Sequence, residues 1–261
     1  MMDMPVNRFK RRLDTGEVQY GIWAGLADPV AAEIVAGAGF DWMLIDAEHA
    51  PNDLRTVLAQ IQAVAAYPVS PVVRPVRADA ALIKQYLDLG AQSILAPMVE
   101  SAAQAQDIAR SMRYPPQGRR GVATARAARW GRVTDYWSGA DDEACLIAQI
   151  ESRAGLAALP AIAAVDGIDA LFVGPSDLAA DLGHLGDPGH AEVRAHVCGA
   201  IAAIRDAGKP AGVLATSPEL AAQYTAAGAA FVAVGVDTML LARSTAELAE
   251  RFIRPGDQPR P

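Results

Sequence analysis

The chain has 261 residues, of which 52% are hydrophobic and 20% charged, a composition that is typical of an ordinary globular protein and excludes disorder, collagen and coiled coil. Its formal net charge of -7 argues against nucleic acid or another polyanion as a partner. The two cysteines lack metal-ligand spacing and no apolar run reaches the roughly 18 residues of a membrane span, so we expect a cytoplasmic protein with no membrane partner.

Apolar segments alternate with segments of helical periodicity along the whole chain. The first predicted strand covers residues 20–26, and a helix that opens at Pro29 follows it as far as residue 38. The other predicted strands cover residues 41–46, 71–76, 93–99, 145–151, 170–174, 211–215 and 231–235. The other predicted helices cover about residues 52–65, 79–89, 102–112, 153–163, 191–207, 218–226 and 238–252.

Eight strands that each precede a helix predict a (β/α)8 TIM barrel. The competing doubly wound sheet would more often show fewer strands and a glycine fingerprint, and no GxGxxG follows Leu26. We therefore predict a single domain over residues 1–261, with a barrel core at about 18–253. Residues 114–143 and 175–190 do not fit simple winding, and connections of that length usually serve function or subunit contacts.

The active site of such a barrel lies at the C-terminal ends of the strands. Glu151 and Asp177 follow adjacent strands, so they can converge on one ion, and oxygen-only ligation favours Mg2+ or Mn2+. The alternative is that both are solvated loop carboxylates or helix caps. The same barrel end receives Asp46, Glu48, His49, Arg74, Gln149, Gly174, Pro175 and Ser176.

Arg74 stands in an apolar segment, where a guanidinium needs an anion, so we predict an anion or enolate binder. Its alternative is a structural ion pair with Asp46 or Glu48. His49 beside these carboxylates suits a general base, although a lone histidine is more often a packing or capping residue. Trp23 and Leu214, at strand ends, are expected to line the pocket or to belong to the barrel core.

Lysine is scarce, and Lys10, Lys84 and Lys209 all fall away from the strand ends. A Schiff-base mechanism needs a desolvated lysine in the site, so any carbonyl chemistry should be metal-assisted. No glycine-rich phosphate cradle is visible after predicted strands seven and eight, where Gly235 is the glycine available, which disfavours a phosphorylated substrate.

Five segments together resemble the HpcH/HpaI family of class II, metal-dependent pyruvate aldolases, and within it the 4-hydroxy-2-oxoheptane-1,7-dioate aldolase branch. They are FDWMLIDAEHAPND, PVVRP, YPPQGRRGV, QIESRAG and LFVGPSDLAADLG, in family order, and the resemblance runs from about residue 7 to residue 252. It implies reversible aldol cleavage of a 4-hydroxy-2-oxo acid to pyruvate and an aldehyde, with Mg2+, Mn2+ or Co2+ as the cofactor.

The resemblance also implies residue roles. Glu151 and Asp177 would be the metal ligands, Gln149 and the backbone at Ser176 would hold pyruvate, and Arg74 would stabilise the enolate. His49 would be the base, with Asp46 beside it and Asp88 raising its basicity, although Asp88 falls near the end of the third predicted helix, away from the mouth. Ser176 departs from the alanine that is common in relatives, which leaves open a preference between pyruvate and hydroxypyruvate.

The family further implies a homohexamer in which the last helix exchanges with a neighbour, and a segment 114–143 that reaches a neighbouring site and helps line the aldehyde pocket there. Two other functions stay open. One is a related metal-enolate lyase that acts on a sugar acid or a thioester, although the sequence offers no basic groove for a nucleotide. The other is a binding barrel without catalysis.

Overall fold

The computed structural model describes residues 2–253, which form a closed barrel of eight parallel strands in the order β1 to β8. The strands are β1 (Gln19–Ala24), β2 (Trp42–Asp46), β3 (Ser70–Arg74), β4 (Ser93–Ala96), β5 (Cys145–Ile150), β6 (Ala170–Val173), β7 (Ala211–Leu214) and β8 (Phe231–Val236). The predicted TIM barrel is confirmed, and each predicted strand lies within a few residues of the observed one.

Helices separate the strands, and the eight predicted ones are all present. The described α-helices are α1 (Arg8–Leu13), α2 (Pro29–Ala36), α3 (Leu54–Ala63), α4 (Ala80–Leu89), α5 (Ala102–Met112), α6 (Tyr136–Gly139), α7 (Arg153–Ala163), α8 (Pro175–Asp181), α9 (Ala191–Asp206), α10 (Pro218–Ala226) and α11 (Asp237–Phe252). Two 3-10 helices cover Val64–Ala66 and Arg126–Gly131.

Local sequence explains where these elements begin. All residues of β2 and β5 are buried, as apolar parallel strands covered on both faces should be. Eight of the described helices start after a residue whose side chain accepts a hydrogen bond from a backbone N–H of the first turn, which satisfies a donor that the helix cannot. These caps are Asn7, Asp28, Asp53, Asp79, Ser101, Ser152, His190 and Ser217.

The N-terminal end of the barrel is closed by α1, which the sequence analysis did not predict. Its Phe9 is fully buried, with its ring 5.3 Å from that of Phe231 in an edge-on arrangement and 5.8 Å from that of Trp42. Asn7 caps the helix through its side chain. The rings of Phe9, Trp42 and Phe231 therefore fill this end of the barrel interior.

Both long connections contain short helices. Residues 114–143 hold the 3-10 helix Arg126–Gly131 and α6, and residues 175–190 begin with α8. Helix α8 starts directly after β6, so it stands at the mouth of the barrel. Within the part of the chain that the structure describes, no helix combines the length and the apolar character that crossing a membrane requires.

Candidate active site

A cavity of about 360 Å3 opens at the C-terminal end of the barrel. Ten of the predicted site residues line it, namely Trp23, Asp46, His49, Arg74, Gln149, Gly174, Pro175, Ser176, Asp177 and Leu214. Glu151 lies beside it and contacts two of those residues, Gln149 and Gly174. The strand ends therefore bring together the predicted constellation, with Asp88 as the exception.

Asp46 and Arg74 form a buried, two-pronged ion pair at the centre of this mouth. The last residues of β2 and β3 face each other in register, and the Arg74 Nε and Nη2 atoms lie 2.9 and 2.6 Å from the two carboxylate oxygens. Both side chains are about 5% exposed. Burial alone would raise the pKa of Asp46, but the hydrogen bonds and charge of Arg74 hold it below its usual value.

Two further groups hold Arg74 in place. Its Nη1 lies 2.9 Å from Glu48 Oε2, in a charge contact rather than an aligned hydrogen bond. Its guanidinium carbon stands 4.9 Å from the centre of the Trp23 ring, and the Trp23 indole N–H donates to Asp46 at 3.1 Å. The ion pair that the sequence left open for Arg74 is therefore present, and the same guanidinium borders the cavity.

Glu151 is buried against the cavity and has a raised pKa. One of its oxygens accepts from the backbone N–H of Met98 at 2.8 Å, and the other accepts from the Gln149 side-chain amide. Burial raises the pKa of Glu151 to about 7, and the charges of Asp177 and Glu48 add to the rise. A nearby cation would stabilise the ionised form of this buried carboxyl group, which burial disfavours.

The surroundings of Glu151 fit a divalent metal ion. The Gln149 side-chain oxygen is buried without a hydrogen-bond partner among the described residues. A Cβ on Gly174 would come within 2.6 Å of Glu151 Oε2, so the glycine leaves open the space beside the carboxylate. Asp177, exposed on the first turn of α8, faces the same cavity. Two carboxylates and an amide oxygen are donors that hard dications prefer.

Most of the His49 side chain is exposed to solvent. Its side chain is 65% exposed, and its Nε2 lies 3.9 Å from Glu48 Oε2. Its backbone N–H lies 3.4 Å from Asp46 Oδ1, so Asp46 positions the segment that carries the imidazole. The ring borders the cavity and can reach a bound molecule there.

Asp88 lies elsewhere in the chain. It belongs to the last turn of α4, which returns to the N-terminal end of the barrel, and it accepts a hydrogen bond from Arg120 at 3.0 Å. Within one chain it therefore contacts Arg120 rather than His49. The role that the family resemblance implies for it, raising the basicity of His49, has no contact within one chain to support it.

Two residues that support the site were missed by the sequence analysis. Met98 has a positive φ of 52°, a strained conformation for a side chain of its size, and this conformation directs its N–H at Glu151. Asp237 is buried at the start of α11 and accepts from the backbone N–H groups of Gly25 and Leu26 at 2.8 and 3.1 Å. The sequence around Met98 carries no signal for a positive φ, whereas an aspartate directly after a strand was visible.

Comparison with known proteins identifies the family. A family model described as HpcH/HpaI aldolase/citrate lyase matches residues 19–244. A hydroxypyruvate/pyruvate aldolase of Pseudomonas aeruginosa is 59% identical over 262 residues, which cover 100% of this chain and 97% of the relative. A 4-hydroxy-2-oxo-heptane-1,7-dioate aldolase of Escherichia coli is 51% identical over 258 residues, which cover 96% and 98%.

The fold agrees with a solved structure. A HpcH/HpaI aldolase/citrate lyase family protein from Burkholderia cenocepacia J2315 superimposes with a TM-score of 0.91 at 41% identity, covering 94% of this chain and 99% of that one. The chain belongs to the HpcH/HpaI aldolase/citrate lyase family. The predicted enzyme class, a carbon-carbon lyase of the aldolase type, is confirmed by these relatives.

The raised pKa of Glu151 predicts pH-dependent metal binding. Below pH 7 the carboxyl group is protonated, so a metal ion must displace that proton, and its affinity should fall by roughly tenfold per pH unit as the pH drops. Calorimetric titration of the metal-free protein with Mn2+ at pH 6, 7 and 8 measures this slope. Glu151→Gln should weaken binding and flatten the slope, and an affinity that is constant from pH 6 to 8 in the original protein would contradict the assignment.

Proposed function

We propose that this chain is a divalent-metal-dependent aldolase that reversibly cleaves 4-hydroxy-2-oxo acids, such as 4-hydroxy-2-oxoheptane-1,7-dioate, to pyruvate and an aldehyde. Membership of an aldolase family supports the reaction class. The observation that carries the proposal is the buried Arg74, which borders the same cavity as the carboxylate of Asp177, while Glu151 is bonded to Gln149 of that cavity. A guanidinium and a pair of carboxylates together suit a substrate that carries negative charge beside a metal ion.

Glu151 and Asp177 would hold the ion, with Mg2+ or Mn2+ favoured by their oxygen donors and Co2+ as a further option. When bound, the ion would supply Lewis acidity to the carboxylate and ketone oxygens of the 2-oxo acid. Gln149 and the backbone at Ser176 would orient the carboxylate end of that acid. The apolar walls at Trp23 and Leu214, with Gly174 and Pro175, would leave room for its carbon skeleton.

Arg74 would stabilise the negative charge that appears on the ketone oxygen as the enolate forms. Its position is fixed before the reaction by Asp46, Glu48 and Trp23, so little reorganisation is needed at the transition state. Electrostatic contributions of this kind are worth about 3–4 kcal/mol for a single donor in other enzymes. We expect Arg74 to act mainly on turnover and less on binding of the substrate.

His49 would move the proton in the cleavage direction. It would accept the proton of the C4 hydroxyl, directly or through water, as the C3–C4 bond breaks. The bonding electrons then form the pyruvate enolate, the aldehyde leaves, and C3 later takes up a proton to give pyruvate. Within one chain Asp88 is paired with Arg120 and does not contact His49. Asp88 would therefore support a His49 that belongs to a neighbouring subunit.

A second donor, hydroxypyruvate, is favoured by one observation on this chain. The hydroxyl of Ser176 is exposed at the cavity, next to the expected carboxylate site, and a hydroxyl there can bond to the additional C3 hydroxyl of hydroxypyruvate. A relative at 59% identity is named for both donors. We therefore extend the proposal to hydroxypyruvate as an alternative nucleophile in the synthetic direction.

The remaining alternatives are a metal-enolate lyase for a sugar acid or a thioester, and a barrel that binds without catalysis. These alternatives have the same fold as a pyruvate aldolase, so only the residues at the mouth of the barrel can distinguish the candidate functions. The intact set of Glu151, Asp177, Arg74 and His49 weighs against a barrel without catalysis.

We also infer a cytoplasmic location, because Cys145 and Cys198 are both free thiols.

We further propose a homohexamer with an exchanged last helix. Helix α11 has 16 residues, of which Asp237 is the one that is buried in the single chain. Its apolar side chains Met239, Leu240, Leu241, Leu248 and Phe252 are all 46% or more exposed. An apolar helix face of this size is normally covered, and exchange with a neighbour would cover it.

The oligomer predicts a specific effect of charge on α11. Light scattering during gel filtration should give a mass close to six chains for the original protein. Leu241→Glu should shift that mass to smaller species, because it places a charge in the covered face, whereas Ala246→Glu, at an exposed position on the opposite side of the same helix, should leave the mass unchanged. A monomer in the original protein would contradict the proposed assembly.

The proposed reaction predicts enolate formation from pyruvate alone, without any aldehyde. In deuterated water with Mg2+ or Mn2+, the pyruvate methyl signal in the proton NMR spectrum should decay, and chelator should stop the decay. The C3 protons of hydroxypyruvate should exchange in the same way if it is a donor. A folded, metal-bound protein that exchanges neither compound would refute the pyruvate-aldolase proposal and favour a different acid or a thioester.

A further inference from the structure

The connection between α8 and α9 holds three metal-ligating side chains outside the mouth. His184 and His190 lie in this loop, and Glu192 lies in the first turn of α9. The loop backbone is well tied, since His184 N–H donates to Ala179 O of α8 at 2.7 Å and His190 N–H donates to Asp187 O at 3.1 Å. These backbone hydrogen bonds tie the segment that carries both imidazoles to the end of α8 and to its own loop.

The donor atoms of the three side chains converge. One atom from each of His184, His190 and Glu192 lies within 4.8 Å of the others. His184 Nε2 stands 2.9 Å from Glu192 Oε2, and the two imidazole rings are stacked with centroids 3.6 Å apart and planes inclined by 18°. The lone pair of an imidazole nitrogen lies in its ring plane, so the two rings turn out of this stack about their side-chain torsions when both bind one ion; their donor atoms are already within 4.8 Å of one another.

The surrounding contacts leave donors available. His190 Nδ1 accepts from the backbone N–H of Glu192 at 3.3 Å, which caps α9 and fixes the ring while Nε2 points away from that bond. The Glu192 carboxylate is exposed in the first turn of α9, where it faces the His184 imidazole. One anionic oxygen and two nitrogens, with water in the fourth position, make up a common tetrahedral ligand set.

We propose that His184, His190 and Glu192 form a second metal site, which takes a transition-metal dication such as Zn2+ and clamps the α8–α9 connection onto the start of α9. The ligand atoms of this site differ from those at the mouth of the barrel. Imidazole nitrogens favour Zn2+, Ni2+ or Cu2+, whereas an oxygen-only set favours Mg2+ or Mn2+. Saturating Mg2+ therefore leaves the second site available, and the two sites discriminate between the ions by their donors.

The position gives the clamp a structural consequence. Helix α8 begins at Pro175 and carries Ser176 and Asp177 at the mouth, and its far end leads directly to His184. A metal ion that joins His184 to α9 restrains the C-terminal end of α8. The inference does not depend on the proposed reaction, because none of the three ligands belongs to the mouth.

The test counts Zn2+ ions in a chain whose mouth cannot bind them. In a Glu151→Gln/Asp177→Asn background, equilibrium dialysis against Zn2+ with excess Mg2+ should retain about one Zn2+ per chain. Adding His184→Ala or His190→Ala should weaken Zn2+ binding by more than the roughly 10–100-fold that loss of a supporting group causes. His196→Ala, which removes an exposed histidine of the same helix outside the three-donor set, should leave Zn2+ binding unchanged.

Two readouts separate a built site from surface binding. Zn2+ should raise the melting temperature of the background protein and leave that of the His190→Ala variant unchanged. Co2+ in place of Zn2+ should give the visible absorption of a four-coordinate ion. No Mg2+-resistant Zn2+ binding, or Zn2+ binding that survives in the His184→Ala/His190→Ala double variant, would overturn the proposal. A failure of the aldolase reaction would leave these results unaffected.

Discussion

The pairing of Asp46 with Arg74 is the interaction on which the mouth of the barrel depends. Two charges that are about 95% buried are costly to remove from water, and the cost is offset only when hydrogen bonds satisfy them. The β2–β3 register places the two residues opposite each other. Asp46 also accepts hydrogen bonds from the Trp23 indole N–H and from the backbone N–H of Glu48. This one carboxylate therefore positions the Arg74 guanidinium, the Trp23 ring and the backbone that follows β2.

Negative charge exceeds positive charge at this mouth. Asp46, Glu48, Glu151 and Asp177 share one guanidinium. Its charge opposes the rise in the pKa of Glu48 and of Glu151, but only the pKa of Asp46, which also accepts its hydrogen bonds, ends below the usual value among these three. Burial raises the pKa of Glu48 as well as that of Glu151, in each case with the charge of Asp177 adding to the rise. A bound dication would relieve this imbalance, which links the electrostatics of the barrel mouth to the metal dependence that we propose.

The sequence predicted most of the fold because parallel strands covered on both faces read as apolar runs and most helix caps are aspartates and serines. Ten of the twelve predicted site residues border the cavity, since strand ends meet in a barrel. Helix α1 and the positive φ of Met98 were missed. Phe9 becomes buried through rings that are distant in sequence, and the φ of Met98 follows from a contact with Glu151, so neither leaves a local pattern.

In the proposed reaction Asp46 acts through the geometry of Arg74, whose guanidinium it holds in place. We would measure this dependence with a double-mutant cycle of Asp46→Asn and Arg74→Lys, using the rate of metal-dependent deuterium exchange into pyruvate. Lysine keeps the charge but loses the two-pronged fork, so each single change should slow exchange, and the double variant should be no slower than Arg74→Lys alone. The predicted coupling is about 1–3 kcal/mol. Additive losses would contradict the account.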